Sequence, residues 1–384
     1  MSNKKESPKN LRSFSAASFL NDFGADMIFP IWPIFLTTVL GANMAVLGFI
    51  EGLSDAIVSI SQALAGYASD RLKKRKVFIW LGYLFAGVAR AGYAISTAWP
   101  HTIPFRILDR AGKIRGAPRD AMIADFSNHH NRGRHFGILR TFDNLGAVFG
   151  ILFCIAFVEI IGFRNLFLIA AIPSLIGALL IFTTIKEQDG LSLKLYKGLS
   201  LKDLNNNFKL FLAVSAIFSL SSFSYSFLLI FANEFGFQLG FVPVLYLIFT
   251  MLASAISLPA GRLSDHFGRK PLIISAFGIW ALTCLIFIFW KSWAGIVIAF
   301  ALYGIHLGII DTVQKTFASE LVPSEFRASG LGGFQMVIGL CALPASLIAG
   351  LLWESFGSNA PFYFSLALTM VAGALLLAVR EKRQ

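Results

Sequence analysis

The chain is short of charge: of 384 residues only 14% are Asp, Glu, Lys or Arg. Cysteine is scarcer still. Cys154, Cys284 and Cys341 lie inside apolar runs without paired or metal-ligand spacing. That excludes a disulfide framework and a zinc site, and leaves the three as small core residues. No HExxH, Cys–His cluster, nucleophile elbow or phosphate-cradling glycine loop occurs. Hydrolytic, metal-dependent and nucleotide-driven chemistry therefore lack their residues, so neither enzyme activity nor a cofactor or metal is expected. The opening stretch does not read as a cleavable leader. It is polar to Arg12 and then apolar for about 27 residues with two acids inside, too long and wrongly charged.

What the chain has in quantity is apolar surface. Apolar residues make up 56%, Phe alone accounts for 39 positions, and mean hydropathy is +0.69. A soluble domain could not cover so much hydrocarbon with polar atoms, whereas lipid-facing helices need no cover. A crossing takes about 20 largely apolar residues. Twelve fit: 14–40, 44–67, 77–99, 101–126, 135–160, 164–185, 210–231, 241–264, 271–290, 293–318, 327–353 and 359–380. The fourth is weakest, because 106–120 is crowded with charge. The expected fold is an all-α integral membrane protein.

The net charge of +12 could point to nucleic acid, but the Lys and Arg sit in short connections rather than in one stripe. They sort by side. One set of ends carries Lys4, Lys5, Lys9 and Arg12, then Arg71 to Lys76, Arg132 and Arg134, five Lys within 186–209, Arg269, Lys270, Arg327, Arg380, Lys382 and Arg383; the opposite connections carry Arg164 and Lys291. By the positive-inside rule both termini and the long central connection are expected to be cytoplasmic.

The chain also repeats itself. Gly66-Tyr-Ala-Ser-Asp70-Arg71 returns 195 residues later as Gly261-Arg-Leu-Ser-Asp265-His266, and the same offset joins Gly41 to Gly236, Asp125 to Glu320 and Arg132 to Arg327. A duplicated module is how many membrane proteins build a path between two halves. Residues 1–185 and 210–384 form two six-helix bundles on this reading, with 186–209 as the linker.

At this point the residues resemble a family. Gly261-Arg-Leu-Ser-Asp265-His-Phe-Gly268-Arg269-Lys270 is similar to the signature loop of the major facilitator superfamily, between the eighth and ninth helices. Gly66 to Lys76 resembles its first copy without the second Gly, with Lys73 or Lys74 in that place. The resemblance implies a secondary transporter of two pseudo-symmetric bundles in a bacterial-type inner membrane; since one chain already contains both halves of a path, it is expected to function as a monomer. Gly66, Asp70, Arg71, Gly261, Asp265, Gly268 and Arg269 would form a gating latch in which Asp caps a neighbouring helix and pairs with Arg.

Charges inside the crossings are the functional candidates, since each costs a few kcal/mol at mid-bilayer. They are one-sided: Asp22, Asp26, Glu51 and Asp55 correspond at the 195 offset to Ile217, Ser221, Tyr246 and Thr250. These four carboxylates are the proton-coupling candidates. Asp26 and Asp55 are placed at similar depth, with Glu51 one turn from Asp55. Arg106, Asp109, Arg110, Lys113 and Asp120 fall on one helical face, while Arg115 and Arg119 point away toward the cytoplasmic end. With Arg90, Arg140 and Asp143, the residues Arg106, Asp109, Arg110 and Lys113 are the substrate-binding candidates; Arg suits carboxylate or phosphate through its bidentate fork. His306, Asp311 and Lys315 are secondary candidates, with Asp311 and Lys315 read as a local i,i+4 ion pair and His306 as a hydrogen-bonded core residue.

The expected function is uptake of a small anionic or polar solute by symport, driven by a proton or cation gradient. The fifth helix holds Gly146 and Gly150 but lacks the Pro and last Gly of the exchanger sequence. Efflux by antiport and a non-transporting receptor on the same scaffold are the alternatives.

Overall fold

An apolar chain can satisfy its backbone within a membrane only by helices or a closed barrel. The computed structural model describes residues 8–72, 74–127, 131–187, 205–322 and 327–381, and among them no strand occurs. The helices are α1 (Pro8–Asp26), α2 (Trp32–Ile34), α3 (Met44–Leu72), α4 (Lys76–Ile95), α5 (Trp99–Ala111), α6 (Gly116–Phe126), α7 (Arg132–Thr184), α8 (Asn206–Ser221), α9 (Tyr225–Glu234), α10 (Val242–Phe267), α11 (Arg269–Phe289), α12 (Trp293–Leu321), α13 (Arg327–Phe356) and α14 (Ala360–Ala378).

Among the described residues nine stretches are long and apolar enough to span a bilayer, and one of them, Gly133–Thr184, has 52 residues. That stretch turns at Gly162, whose φ of 74° is left-handed and costs a glycine nothing. α1 runs with the first arm of α7, where Cβ atoms on Gly146 and Gly150 would strike the carbonyls of Phe19 and Phe23. It runs against the second arm, where Gly24 lies beside Ala170 and Ser174 donates to Asn21 at 3.2 Å. The two arms are therefore antiparallel crossings. Separating them gives ten; α1 with α2, and α5 with α6, complete the expected twelve. Outward residues are apolar, as lipid requires: Ile160, Phe289 and Phe356 are 76%, 73% and 77% exposed.

Three crossings are discontinuous, each for a local reason. Pro30 and Pro33 stop α1 from continuing, and a π-helical turn, Phe35–Val39, follows α2. α8 gives way to α9 at Ser222–Ser224, where the Ser224 hydroxyl accepts the N–H of Ser226 at 3.3 Å. Between α5 and α6 a 3₁₀ turn, Gly112–Arg115, packs so close to α4 that a Cβ on Gly82 would overlap the carbonyl of Gly112. The first two breaks are copies of each other: α1 ends at Asp26 and α8 at Ser221, 195 residues apart. The same offset joins the left-handed pairs Gly41 and Gly236 (φ 70° and 108°) and Gly162 and Gly357 (74° and 87°).

By contact the chain divides into two units, Met1–Ala42 with Ile57–Leu195 and Leu239–Pro243, and Asn43–Ala56 with Tyr196–Gln238 and Val244–Gln384. The expected split after residue 185 is thus crossed twice. The first half of α3 belongs with α13 because Gly48 and Gly52 pack on the backbone of Ser346 and Leu343, and Glu354 accepts the N–H of Met44 at 2.6 Å. Gly240 joins the first unit by donating its N–H to Glu159 at 3.0 Å. Of the expected linker, 188–204 lie outside the described residues; α8 starts before its end, capped by Asn205, which accepts from Phe208 N–H at 2.6 Å.

Candidate functional site

Charge inside an apolar bundle is tolerable where it pairs or meets water. The first unit provides such a place, a cavity of about 380 Å³. Asp22 of α1, Gln62 of α3, Lys113 and Arg115 of the 3₁₀ turn, Arg119 and Asp120 of α6, and Arg140 and Asp143 of α7 supply its polar walls.

Arg119 is the hub. Its Nη1 donates to the Ser18 hydroxyl at 2.6 Å and stands 3.8 Å from Asp143 Oδ1, while Nε donates to Asp120 at 3.0 Å. Arg140 reaches the other Asp143 oxygen at 3.5 Å. Asp143 is 9% exposed, and its Oδ1 is buried beside the Ser18 hydroxyl, with no hydrogen bond within 3.5 Å among the described residues. Arg115 is buried, donates to the Gly112 carbonyl at 2.8 Å and stacks over Tyr83, 4.9 Å from the ring centre.

Four of the site candidates, Asp22, Lys113, Arg140 and Asp143, meet here. Arg115 and Arg119 correct the helical-wheel reading, which turned them away. The cause is the 3₁₀ turn: four residues at 120° instead of 100° rotate everything beyond by about 80°. The signal was legible in Gly112, Gly116 and Pro118, which interrupt a regular α-helix. Gln62 was also missed; nothing in its sequence surroundings marks it.

The remaining candidates lie elsewhere. Arg106 is buried with its guanidinium 4.7 Å from the centre of the Trp32 ring; Arg110 stacks on Phe29 at 4.8 Å and stands 3.7 Å from buried Asp109. These three line no part of the cavity. Arg90 ties helices together. It donates to the Asn21 carbonyl at 3.1 Å and its side-chain oxygen at 3.3 Å, to the Ala170 carbonyl at 3.4 Å and to the Ser174 hydroxyl.

Asp26 is half-buried at the end of α1 and Asp55 is exposed on α3. Glu51, 4% exposed, accepts from the Ser224 hydroxyl at 3.1 Å, at the break between α8 and α9. His306 is the core residue expected: its Nδ1–H donates to the Ala276 carbonyl at 2.8 Å, among the rings of Phe218, Trp280 and Tyr303. Asp311 and Lys315 stand one turn apart, but no ion pair within 4 Å joins them among the described residues.

The signature loop is ordered by charge. Gly268 is left-handed, at φ 99°, which explains the second glycine of the pattern. Asp265 pairs with Arg269 at 2.6 Å, and Arg269 with Glu320 of α12 at 2.9 Å. In the first copy Arg75 pairs with Asp125, and Arg71 is exposed. Lys73, and the surroundings of Gly66 and of the Asp70 side chain, lie outside the described residues, as do those of Arg132 and Arg327.

The comparisons with known proteins agree with this architecture. The family model of the Major Facilitator Superfamily matches residues 14–206 and 210–384. An uncharacterized MFS-type transporter of Methanocaldococcus jannaschii is 35% identical over 98% of this chain and 96% of its own. Among solved structures, the nucleoside transporter NupG (TM-score 0.74, 17% identity, covering 96% of this chain and 98% of its own) and a D-xylose-proton symporter (0.76, 17%, 98% of each) share the fold. Twelve crossings, an internal duplication, the signature loop and a match along nearly the whole sequence have one meaning: this chain is an integral, multi-pass membrane protein and belongs to the major facilitator superfamily.

Proposed function

We propose that the protein takes up a small anionic or polar solute by proton-coupled symport, using alternating access. The observation that carries this reading is the cavity of about 380 Å³ walled by Lys113, Arg115, Arg119 and Arg140 within the spanning part of the first unit. Four cations against the three carboxylates Asp22, Asp120 and Asp143 leave the wall one positive charge in excess, which favours an anion. The carboxylates beside them supply groups that can exchange a proton, and Asp22 is the coupling candidate that reaches this wall. Secondary energy coupling accords with the family and with the two transporters of the same fold; the solutes in their names are not carried over. The skew of Lys and Arg supports cytoplasmic termini, and an inner (plasma) membrane is the location that goes with this reading.

Flux into proteoliposomes tests the reading. Under an inward proton gradient the reconstituted protein should accumulate one class of labelled anion, and Arg119→Gln should abolish it. Accumulation of cations alone, or export under the same gradient, would overturn it; absence of flux with any solute would favour a receptor.

A further inference from the structure

We propose that Asp143 is an internal competitor for the solute's anionic group: its carboxylate holds the place between Arg119 and Arg140 that a bound anion takes. The inference rests on the anion-binding reading of the cavity and goes on to say how a proton enters the same step.

Three observations carry it. First, one carboxylate is shared by two guanidiniums from different helices, Arg119 of α6 and Arg140 of α7, at 3.8 and 3.5 Å. A closed Arg–carboxylate bond measures about 2.7–2.9 Å; Asp143 is near both partners and tightly bonded to neither. Second, its Oδ1 is buried beside the Ser18 hydroxyl and Arg119, yet no hydrogen bond within 3.5 Å reaches it among the described residues. A proton added to that oxygen displaces no close hydrogen bond, and the Ser18 hydroxyl can turn to accept it. Third, Asp143 lies on the cavity wall, so displacing it moves a side chain, not the backbone.

The groups around it fix the sign of the linkage. From α1 come Asp22 and the Ser18 hydroxyl, from α3 Gln62, from the 3₁₀ turn Lys113 and Arg115, from α6 Arg119 and Asp120, and from α7 itself Arg140. An anion entering between Arg119 and Arg140 would leave Asp143 facing that anion and the Asp22 carboxylate without its guanidiniums. Protonation of Asp143 removes the conflict, so anion and proton bind together, each raising the affinity of the other by the same factor. That is the thermodynamic requirement of symport. Asp120 plays no such part, because it is bound to Arg119 Nε at 3.0 Å and leaves the Nη side open.

Titration of the purified full chain in nanodiscs with sulfate, and separately with ethane-1,2-disulfonate, anions whose charge is constant around neutral pH, tests the inference by calorimetry in buffers of different ionisation heat. Wild type should bind more tightly as pH falls and take up a proton with the anion. Asp143→Asn should bind about tenfold more tightly at neutral pH, the size of one charge-assisted contact, with a flat pH profile and no proton uptake. Asp143→Ser should behave alike, which guards against a misfolded variant. Unchanged or weaker binding by both Asp143 variants, or persistent proton uptake, would overturn the inference and leave the anion site standing. If neither probe binds wild type or variants at any pH, or if Arg119→Gln binds as wild type does, the anion reading itself fails, and the inference with it.

Discussion

Glu187 accepts the backbone N–H of Arg75 at 2.7 Å and, 194 residues later, Glu381 accepts the backbone N–H of Arg269. Each carboxylate also takes the next N–H, from Lys76 at 3.0 Å and from Lys270 at 3.2 Å. An acid that follows the last crossing of each unit thus caps the helix that opens that unit's third crossing, where orphan N–H groups and the helix dipole favour negative charge. The Arg at each capped end pairs in turn with an acid at the end of the fourth crossing, Asp125 or Glu320.

The caps predict a stability cost that is alike in the two copies. Glu187→Gln and Glu381→Gln should each lower stability by about 1 kcal/mol, the usual worth of an N-terminal cap. Thermal unfolding in detergent measures it. A loss in one copy only would show that the two carboxylates differ in role.

The duplicated turns predict a second matched pair. Gly162→Ala and Gly357→Ala force a side chain into left-handed backbone and should each cost about 1–2 kcal/mol, seen as a lowered Tm. Gly373, inside α14 with open space around its Cβ position, is the control. Alanine there should raise stability by about 0.5–1 kcal/mol, because helical glycine loses the most entropy on folding.

Arg90 separates a structural charge from a solute-binding one. Arg90→Met leaves buried acceptors of Asn21, Ala170 and Ser174 without their donor and should cost about 3 kcal/mol. Sulfate affinity per folded molecule should be unchanged in this variant but lost in Arg119→Gln. Equal loss of affinity in both variants would return Arg90 to the binding site.

Hydropathy, charge bias and self-similarity are properties of the chain read along its length, and they fixed a good deal. The positions of the twelve crossings, the 195-residue repeat, the signature loop and the core placement of His306 were all legible there; that Glu381 rather than Asp265 caps α11 was not. What the one-dimensional reading could not decide was which buried charges meet. A regular helical wheel grouped Arg106 and Arg110 with Lys113 and turned Arg115 and Arg119 away. Four residues of tighter helix at Gly112–Arg115 reversed that, because a rotation of about 80° accumulates in one turn and passes to every residue beyond it. Likewise the packing of Gly48 and Gly52 on α13 puts half of α3 in the second unit, a contact between positions some 300 residues apart that no local pattern encodes. Sequence determined that this chain holds charge inside a membrane; only the tertiary packing of α1, α6 and α7 decided which of those charges gather around one cavity.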